Sequence, residues 1–489
     1  MDDIKLRKKN LLMFPVGTIG RDMMYTLVTS YLLTFILFTR SLTAAQLAAV
    51  TAIMVASRVF DALNDPIMGN IIERTRGKWG KFKPWLVIGI LLSSVVVYIV
   101  FNSNLQGWSF IWLFGAFYFA YSISYTMHDI SYWGMVPALS SDPDARNQFT
   151  SRATLCAGIG GTAASMVIPM LTTGEYALGG STNVAYGRIA LIICVLAPLF
   201  LAFTVIGATE RRDDMLEAAP PISLKKVVKT ITGNDQILWI AVIFLIQQIG
   251  NGLVIGGLGS TYIYFDFGYS GGLYSIFNTV GMMVTALLMI FYPAISRRIH
   301  RKKLMGILAI VSSVGYAVML IPGLVMASSM TKFWMITGGY MLANFGQYGY
   351  YLIMMISIIN TVEYNELNFG TRDEAIIASL RPFLTKMASA LTVAITSLSY
   401  IVFGVTNYTN QISALESASA AGTIGEAEKL SSISQVLSGV GHGQTLGLLL
   451  CMTVLPWALM LTSYFLYKKH YKLDEEEYDR ICAELAAKA

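Results

Sequence analysis

Residues 58–69 read RVFDALNDPIMG, directly after the almost wholly apolar AQLAAVTAIMVAS of residues 45–57. Arg58, Asp61, Asn64 and Asp65 thus stand within about two helical turns of one another in a segment otherwise suited to lipid. A charge at the centre of a spanning helix costs roughly 2.5–3.5 kcal/mol on insertion scales, so four polar groups together need a purpose. Asp61 and Asp65 are four residues apart, about 40° around a helix, with Asn64 beside them on the same face. Two carboxylates so placed in low dielectric cannot both stay ionised without a counter-charge. Either one binds a proton or a cation sits between them. Pro66 removes a backbone hydrogen bond and can free the carbonyl of Ala62 as a further oxygen near the pair.

The rest of the chain confirms the membrane setting. Of 489 residues 55% are hydrophobic and 13% charged, and the mean hydropathy is +0.58. About twelve apolar runs of about 20 residues or more follow one another, from residues 11–37 to residues 444–467. None shows the alternation of a barrel strand, so an all-α membrane protein is predicted. The first run follows MDDIKLRKKN without a small-residue cleavage site and reads as a retained helix. Lys5, Arg7, Lys8 and Lys9, then Arg74, Arg76, Lys78, Lys81 and Lys83, then Arg297, Arg298, Arg301, Lys302 and Lys303 mark alternate connections, which places both termini in the cytoplasm. Topology then accounts for the net charge of +6 without nucleic acid. Cys156, Cys194, Cys451 and Cys482 lack metal-ligand spacing and give no sign of disulfides.

The polar stretch ERRDDMLEAAPPISLKKVVKTITGNDQ divides the runs six and six. GKWGKFKPW after the second run has an echo in SRRIHRKKLMG after the eighth, as a parallel repeat of two six-helix bundles would have. The predicted organisation is a first bundle over residues 1–208, a central loop over 209–235, a second bundle over 236–468 and a tail over 469–489. An outer connection over 406–443 fits a short surface helix with flexible flanks, and no function is assigned to it.

In the fourth run, SYTMHDISYWGMVP, Tyr125, Asp129 and Trp133 recur at every fourth position, with Thr126 three residues before Asp129. An acid between two aromatic rings is how proteins commonly hold a sugar: the carboxylate accepts hydroxyl hydrogen bonds and a ring covers the apolar face. The competing reading is that Tyr125 and Trp133 pack against neighbouring helices. Arg21, Asp22, Arg152, Arg381 and Lys386 are further charges in or near spans. For Arg58 and Arg152 an interhelical salt bridge is the plain alternative, and His128 reads as a packed histidine.

The stretches RVFDALNDPIMGNIIERTRGKWGKFKPW, YTMHDISYWGMVP and EYNELNFGTRDEAIIASLRPFLTKMASAL together resemble the glycoside-pentoside-hexuronide:cation symporters of the major facilitator superfamily. The resemblance covers nearly the whole chain. It implies the superfamily fold of twelve transmembrane helices in two six-helix bundles. It also implies uptake of a sugar or glycoside coupled to Na+, Li+ or H+ across the cell inner (plasma) membrane, by a chain that functions as a monomer and needs no other cofactor. The positions matching the family's cation site are Asp61, Asn64, Asp65, Thr126 and Asp129, with Na+ held by Asp61, Asp65 and Asp129. Those matching its sugar site are Asp22, Tyr125, Asp129, Trp133 and Lys386. Arg146, Glu363, Glu366 and Arg372 match its cytoplasmic gate.

Two positions depart from the pattern. Arg152 stands nearer the preceding RNQ element than the family's sugar-binding arginine does. Arg381 replaces an amide, and its charge either favours an anionic substrate such as a glucuronide or pairs with Asp22 or Asp129. Asn64 and Thr126 supply neutral oxygens that a proton would not need, which favours Na+. A lipid or lysolipid carrier on the same scaffold is the nearest rival. An enzyme is disfavoured, because the chain has no HExxH, nucleophile elbow or phosphate loop.

Overall fold

The computed structural model describes residues 2–75, 77–140, 142–210, 224–296 and 298–488. Residues 211–223 of the predicted central loop, with Arg76 and Arg297, lie outside them, as do the side chains of Ala62 and Pro66. The described residues are helical throughout, with no strand among them. In order, the helices are α1 (Asp2–Thr26), α2 (Leu32–Thr39), α3 (Ala44–Arg74), α4 (Lys83–Asn102), α5 (Gly107–Leu139), α6 (Pro143–Thr172), α7 (Thr182–Gly207), α8 (Leu224–Gly233), α9 (Asp235–Leu253) and α10 (Gly259–Phe267). They continue as α11 (Gly271–Ser296), α12 (Arg301–Val325), α13 (Met330–Ile359), α14 (Thr361–Phe369), α15 (Glu374–Val402), α16 (Val405–Ala420), α17 (Glu426–Ser438), α18 (His442–His470) and α19 (Glu475–Lys488).

Ten stretches of described helix are long and apolar enough to cross a membrane. The other two of the twelve predicted spans fall on α11 and α13, of 26 and 30 residues. The spans begin where their sequences prescribe. Thr43 and Gln46 form a reciprocal capping box at α3, Asp142 and Pro143 open α6, and Ser181 and Asn234 cap α7 and α9.

The first and seventh spans are both interrupted. A π-helical turn over Leu27–Tyr31 joins α1 to α2, and another over Val254–Leu258 joins α9 to α10. In the second, Gly257 takes φ +116°, which a side chain would strain.

Two compact units emerge. The first holds Met1–Pro220, Gly268–Ile276 and Tyr400–Val440, and the second holds Pro221–Phe267, Phe277–Ser399 and Gly441–Ala489. Within the first, α1 packs on α6 and α7, while α5 packs on α3 and α4. Gly160 brings α6 against the backbone of Ile19, and Gly20 brings α1 against that of Ala197; a Cβ at either glycine would overlap the neighbour. This close approach fixes the stretch of α1 that carries Arg21 and Asp22.

The outer connection is two helices, α16 and α17, and both belong to the first unit. Glu416 and Lys429, each with a fully buried side chain, lie 3.4 Å apart. Glu416 also accepts the Thr182 amide at 2.7 Å, and Lys429 donates to the Gly180 carbonyl at 2.6 Å. In the second unit α12 packs on α13 and α18, and the predicted tail forms α19 against α14.

Candidate binding site

One face of α5 assembles the site. Ser122, Thr126 and Asp129 recur at helical spacing along it, and each engages an ionic side chain from another helix. Ser122 Oγ donates to Asp61 Oδ1 and Thr126 Oγ1 donates to Asp65 Oδ1 at 3.1 Å. The offset is 61 positions in both pairs, so α3 and α5 run side by side in fixed parallel register. The helical spacing of Asp61 and Asp65 is what allows both to meet α5.

One turn further on, Asp129 Oδ1 accepts Arg21 Nη1 at 3.1 Å. Arg21 also holds Asp22, through Nη2 at 2.7 Å and Nε at 2.8 Å. Its guanidinium lies 5.3 Å from the Tyr132 ring centre and 5.4 Å from that of Trp133, with only 5% of the side chain exposed. Arg58 Nη1 stands 3.6 Å from Asp61 Oδ2. This is a pair three residues apart within α3, not the interhelical salt bridge expected of Arg58.

Arg21 thus pairs with Asp22 and Asp129, and Arg58 with Asp61, on a face that also carries Asp65. Among the described residues, no three carboxylate, imidazole or thiol side chains approach closely enough to hold one metal ion. Asp129 is drawn to Arg21 and Asp61 to Arg58. Asn64 is buried beside them, and its Nδ2 has no hydrogen-bond partner.

The aromatic residues divide. Tyr125 stacks between Tyr25 and Tyr121 at 5.4 and 5.6 Å, the packing arrangement, and it remains half-buried. Trp133 is half-buried beside Arg21, where a ring face can meet a ligand held by Asp22 and Asp129. His128 is fully buried, with both ring nitrogens unpartnered, and packs beside Tyr132.

Arg152 is exposed and donates to the Leu11 carbonyl at 3.3 Å, away from the acidic face. Arg21 holds that face instead. It was legible as a charge in the first span, although its contact with Asp129 has no sequence signal. Ser122 was missed too: a serine in an apolar span reads as a small packing residue.

Lys386 (half-buried) and Arg381 (exposed) lie on α15 in the second unit. In the same unit Arg372 gathers Glu363 at 2.9 Å and Glu366 at 2.7 Å, so three of the predicted gate residues form one ionic cluster. Arg146, in the first unit, donates to the Ser140 carbonyl at 2.7 Å.

A family model described as MFS/sugar transport protein matches residues 13–475. The chain is similar to a lactose permease of Leuconostoc lactis, 28% identical over 419 residues, covering 81% of this chain and 63% of that protein. The chain therefore spans less than two thirds of that relative's length. It is also similar to a raffinose carrier protein of Pediococcus pentosaceus, 26% identical, covering 97% of this chain and 71% of that one. Its fold is similar to that of a bacterial homologue of the human lysosomal transporter Spinster, with a TM-score of 0.62 at 13% identity over 96% of this chain and 98% of that chain.

Proposed function

This chain belongs to the MFS/sugar transport protein family, among the glycoside-pentoside-hexuronide symporters of the major facilitator superfamily, and from that premise we propose that it takes up an oligosaccharide or other glycoside together with Na+. In this reading both termini are cytoplasmic and the membrane is the cell's inner (plasma) membrane. The relatives named for lactose and raffinose support a glycoside as substrate.

The observation that carries the coupling is the ladder on α5, where Ser122 meets Asp61, Thr126 meets Asp65 and Asp129 meets Arg21. In this reading a monovalent cation shares the carboxylates there with Arg21 and Arg58. Asp61, Asp65 and Asp129 are not gathered on one point in this structure, so Na+ binding in this reading requires Asp129 to leave Arg21 and Asp61 to leave Arg58 and join Asp65, with Asn64 and Thr126 adding neutral oxygens. Asp22 and Asp129 hold the sugar hydroxyls, and Trp133 and Tyr125 cover its apolar face. Neutralising the acidic face lowers the cost of enclosing it, so cation binding permits the alternating-access step. The Arg372 cluster and Arg146 serve the cytoplasmic gate.

Membrane vesicles loaded by an imposed Na+ gradient test this. The wild type should accumulate labelled glycoside, and Asp65→Asn should lose accumulation while keeping facilitated exchange. Unchanged accumulation in Asp65→Asn would overturn the coupling assignment, and a pH gradient driving uptake without Na+ stimulation would assign the proton instead. Arg381, exposed and outside any ion pair among the described residues, favours one further comparison, a glucuronide against its neutral glucoside.

A further inference from the structure

A cavity of about 300 Å3 lies within the second unit between α11, α12 and α13, far in sequence from every residue assigned to transport. Its lining is wholly apolar: Leu288, Tyr292, Ile299, Leu304, Leu308 and Phe345 form its main walls. Ile307 also lines it and is 40% exposed, so the cavity reaches the helix surface that faces hydrocarbon. Water gains nothing in such a space, because it needs two or more polar partners. At ~30 Å3 for a group the size of a water, the volume admits a run of several methylenes.

Tyr292 contributes its ring to the wall and opens no polar atom to the cavity. Tyr292 is 91% buried and its hydroxyl makes no hydrogen bond.

The charges at this end of the helices say what the occupant is. Arg298, His300 and Lys303 are exposed in the connection that follows α11 and opens α12, interleaved in sequence with the lining residues Ile295, Ile299 and Leu304. The neighbouring cations are already engaged: Arg301 holds Glu475 at 3.0 Å and Lys302 holds Asp474 at 2.7 Å. Arg298 and Lys303 have no ion pair among the described residues. Two cations outside any ion pair among the described residues, in the connection that adjoins an apolar groove, match one amphiphile, an anionic lipid with its phosphate at the basic connection and one chain along the groove.

We propose that the groove between α11, α12 and α13 binds an anionic phospholipid, with an acyl chain against Leu304, Leu308 and Phe345 and the phosphate held by Arg298 and Lys303. The site depends on the membrane-spanning fold and not on the transport assignment.

The test uses the full chain in detergent with added lipid, read by native mass spectrometry and thermal unfolding. The wild type should retain and be stabilised by phosphatidylglycerol over phosphatidylcholine of the same chains. Arg298→Gln and Lys303→Gln should each cut that preference roughly five-fold, as expected for one basic side chain at an anionic surface. Ile307→Trp, which fills the mouth from an exposed position, should lower retention of both lipids. Equal retention of the two lipids by the wild type, an undiminished preference in the Arg298→Gln, Lys303→Gln double variant, or unchanged retention in Ile307→Trp would each overturn the site. Equal protection by inorganic phosphate would reassign the basic cluster to a free anion and overturn it as well. Transport assays are not involved, so failure here leaves the symport reading to stand or fall on the vesicle experiment.

Discussion

Arg21 is the residue on which the acidic face depends. Its guanidinium carries bonds to Asp22 and Asp129 while nearly excluded from solvent, and no other cation within the described residues is bonded to either. Removing one partner of a buried pair leaves an uncompensated charge and costs about 3–5 kcal/mol. Arg21→Gln should therefore unfold at markedly lower temperature. Arg21→Lys should recover only part of the loss, because an ammonium cannot reproduce the fork that reaches both carboxylates. Asp129→Asn in the Arg21→Gln background should restore some stability, with a coupling of roughly 1–3 kcal/mol in a thermal double-mutant cycle. At this scale the sequence revealed the acids but not their partners. The four-residue spacing of Asp61 and Asp65 was enough to put them on one face. Nothing local could say that Arg21 would reach a carboxylate 108 positions away, since that contact is set by how closely α1 seats on α6 and α7.

Among elements, the departures lie where charges dock a helix. The outer connection shows Ala, Ser and Glu and reads as a loosely held surface helix, yet the structure buries Glu416 and Lys429 completely to seat α16 and α17 on α7 and α2. Asn410 adds two 2.9 Å bonds to the backbone of Leu42. Lys429→Met should release the hairpin at a cost of about 3–5 kcal/mol, whereas Lys429→Met with Glu416→Leu should regain only part of it, because the lone buried carboxylate is gone but the Thr182 amide and Gly180 carbonyl lose their partners. Amide exchange across 405–438 reads both. The terminal helix α19 depends on charge differently. Burial pushes the Glu475 carboxyl up, but the Arg301 amide and guanidinium outweigh it and hold it below the usual range; Asp474 is lowered in the same way beside Lys302. A depressed carboxyl stabilises the fold above its unfolded value and loses that contribution as pH falls through the folded one. Protection of 475–488 against amide exchange should thus hold at neutral pH and decline only below about pH 4. A decline already complete at pH 6 would contradict the pairing. Neither docking was visible in composition, which registers a charge without showing whether it is buried.

For the whole molecule, the pattern of twelve apolar runs and a six-and-six division was open to reading because lipid imposes length and apolarity on every span. The membership of residues 268–276 and 400–440 in the first unit was not, since it rests on contacts between distant segments such as Glu416 with Thr182. The structure adds to the repeat something that hydropathy could not carry. The first and seventh spans, the opening helix of each half, are both broken by a π-turn, at Leu27–Tyr31 and Val254–Leu258. Interrupted helices at corresponding places in two halves are a pointer to a binding site in transporters built from repeats. The first break lies one to two turns beyond Arg21 and Asp22, so the opening helix of the first half both bends and contributes to the acidic face. If the glycoside and Na+ share Asp129 as proposed, each must raise the affinity for the other by the same factor, because the coupling free energy belongs to the pair of ligands. Calorimetric titration of the purified protein should find the glycoside bound roughly 5–150-fold more tightly with saturating Na+ than in choline, and Na+ bound more tightly by an equal factor with saturating glycoside. In Asp65→Asn both factors should fall to one together, with glycoside affinity near the sodium-free value of the wild type. Independent binding of the two ligands to the wild type would separate the cation face from the sugar face and remove Asp129 from one of them.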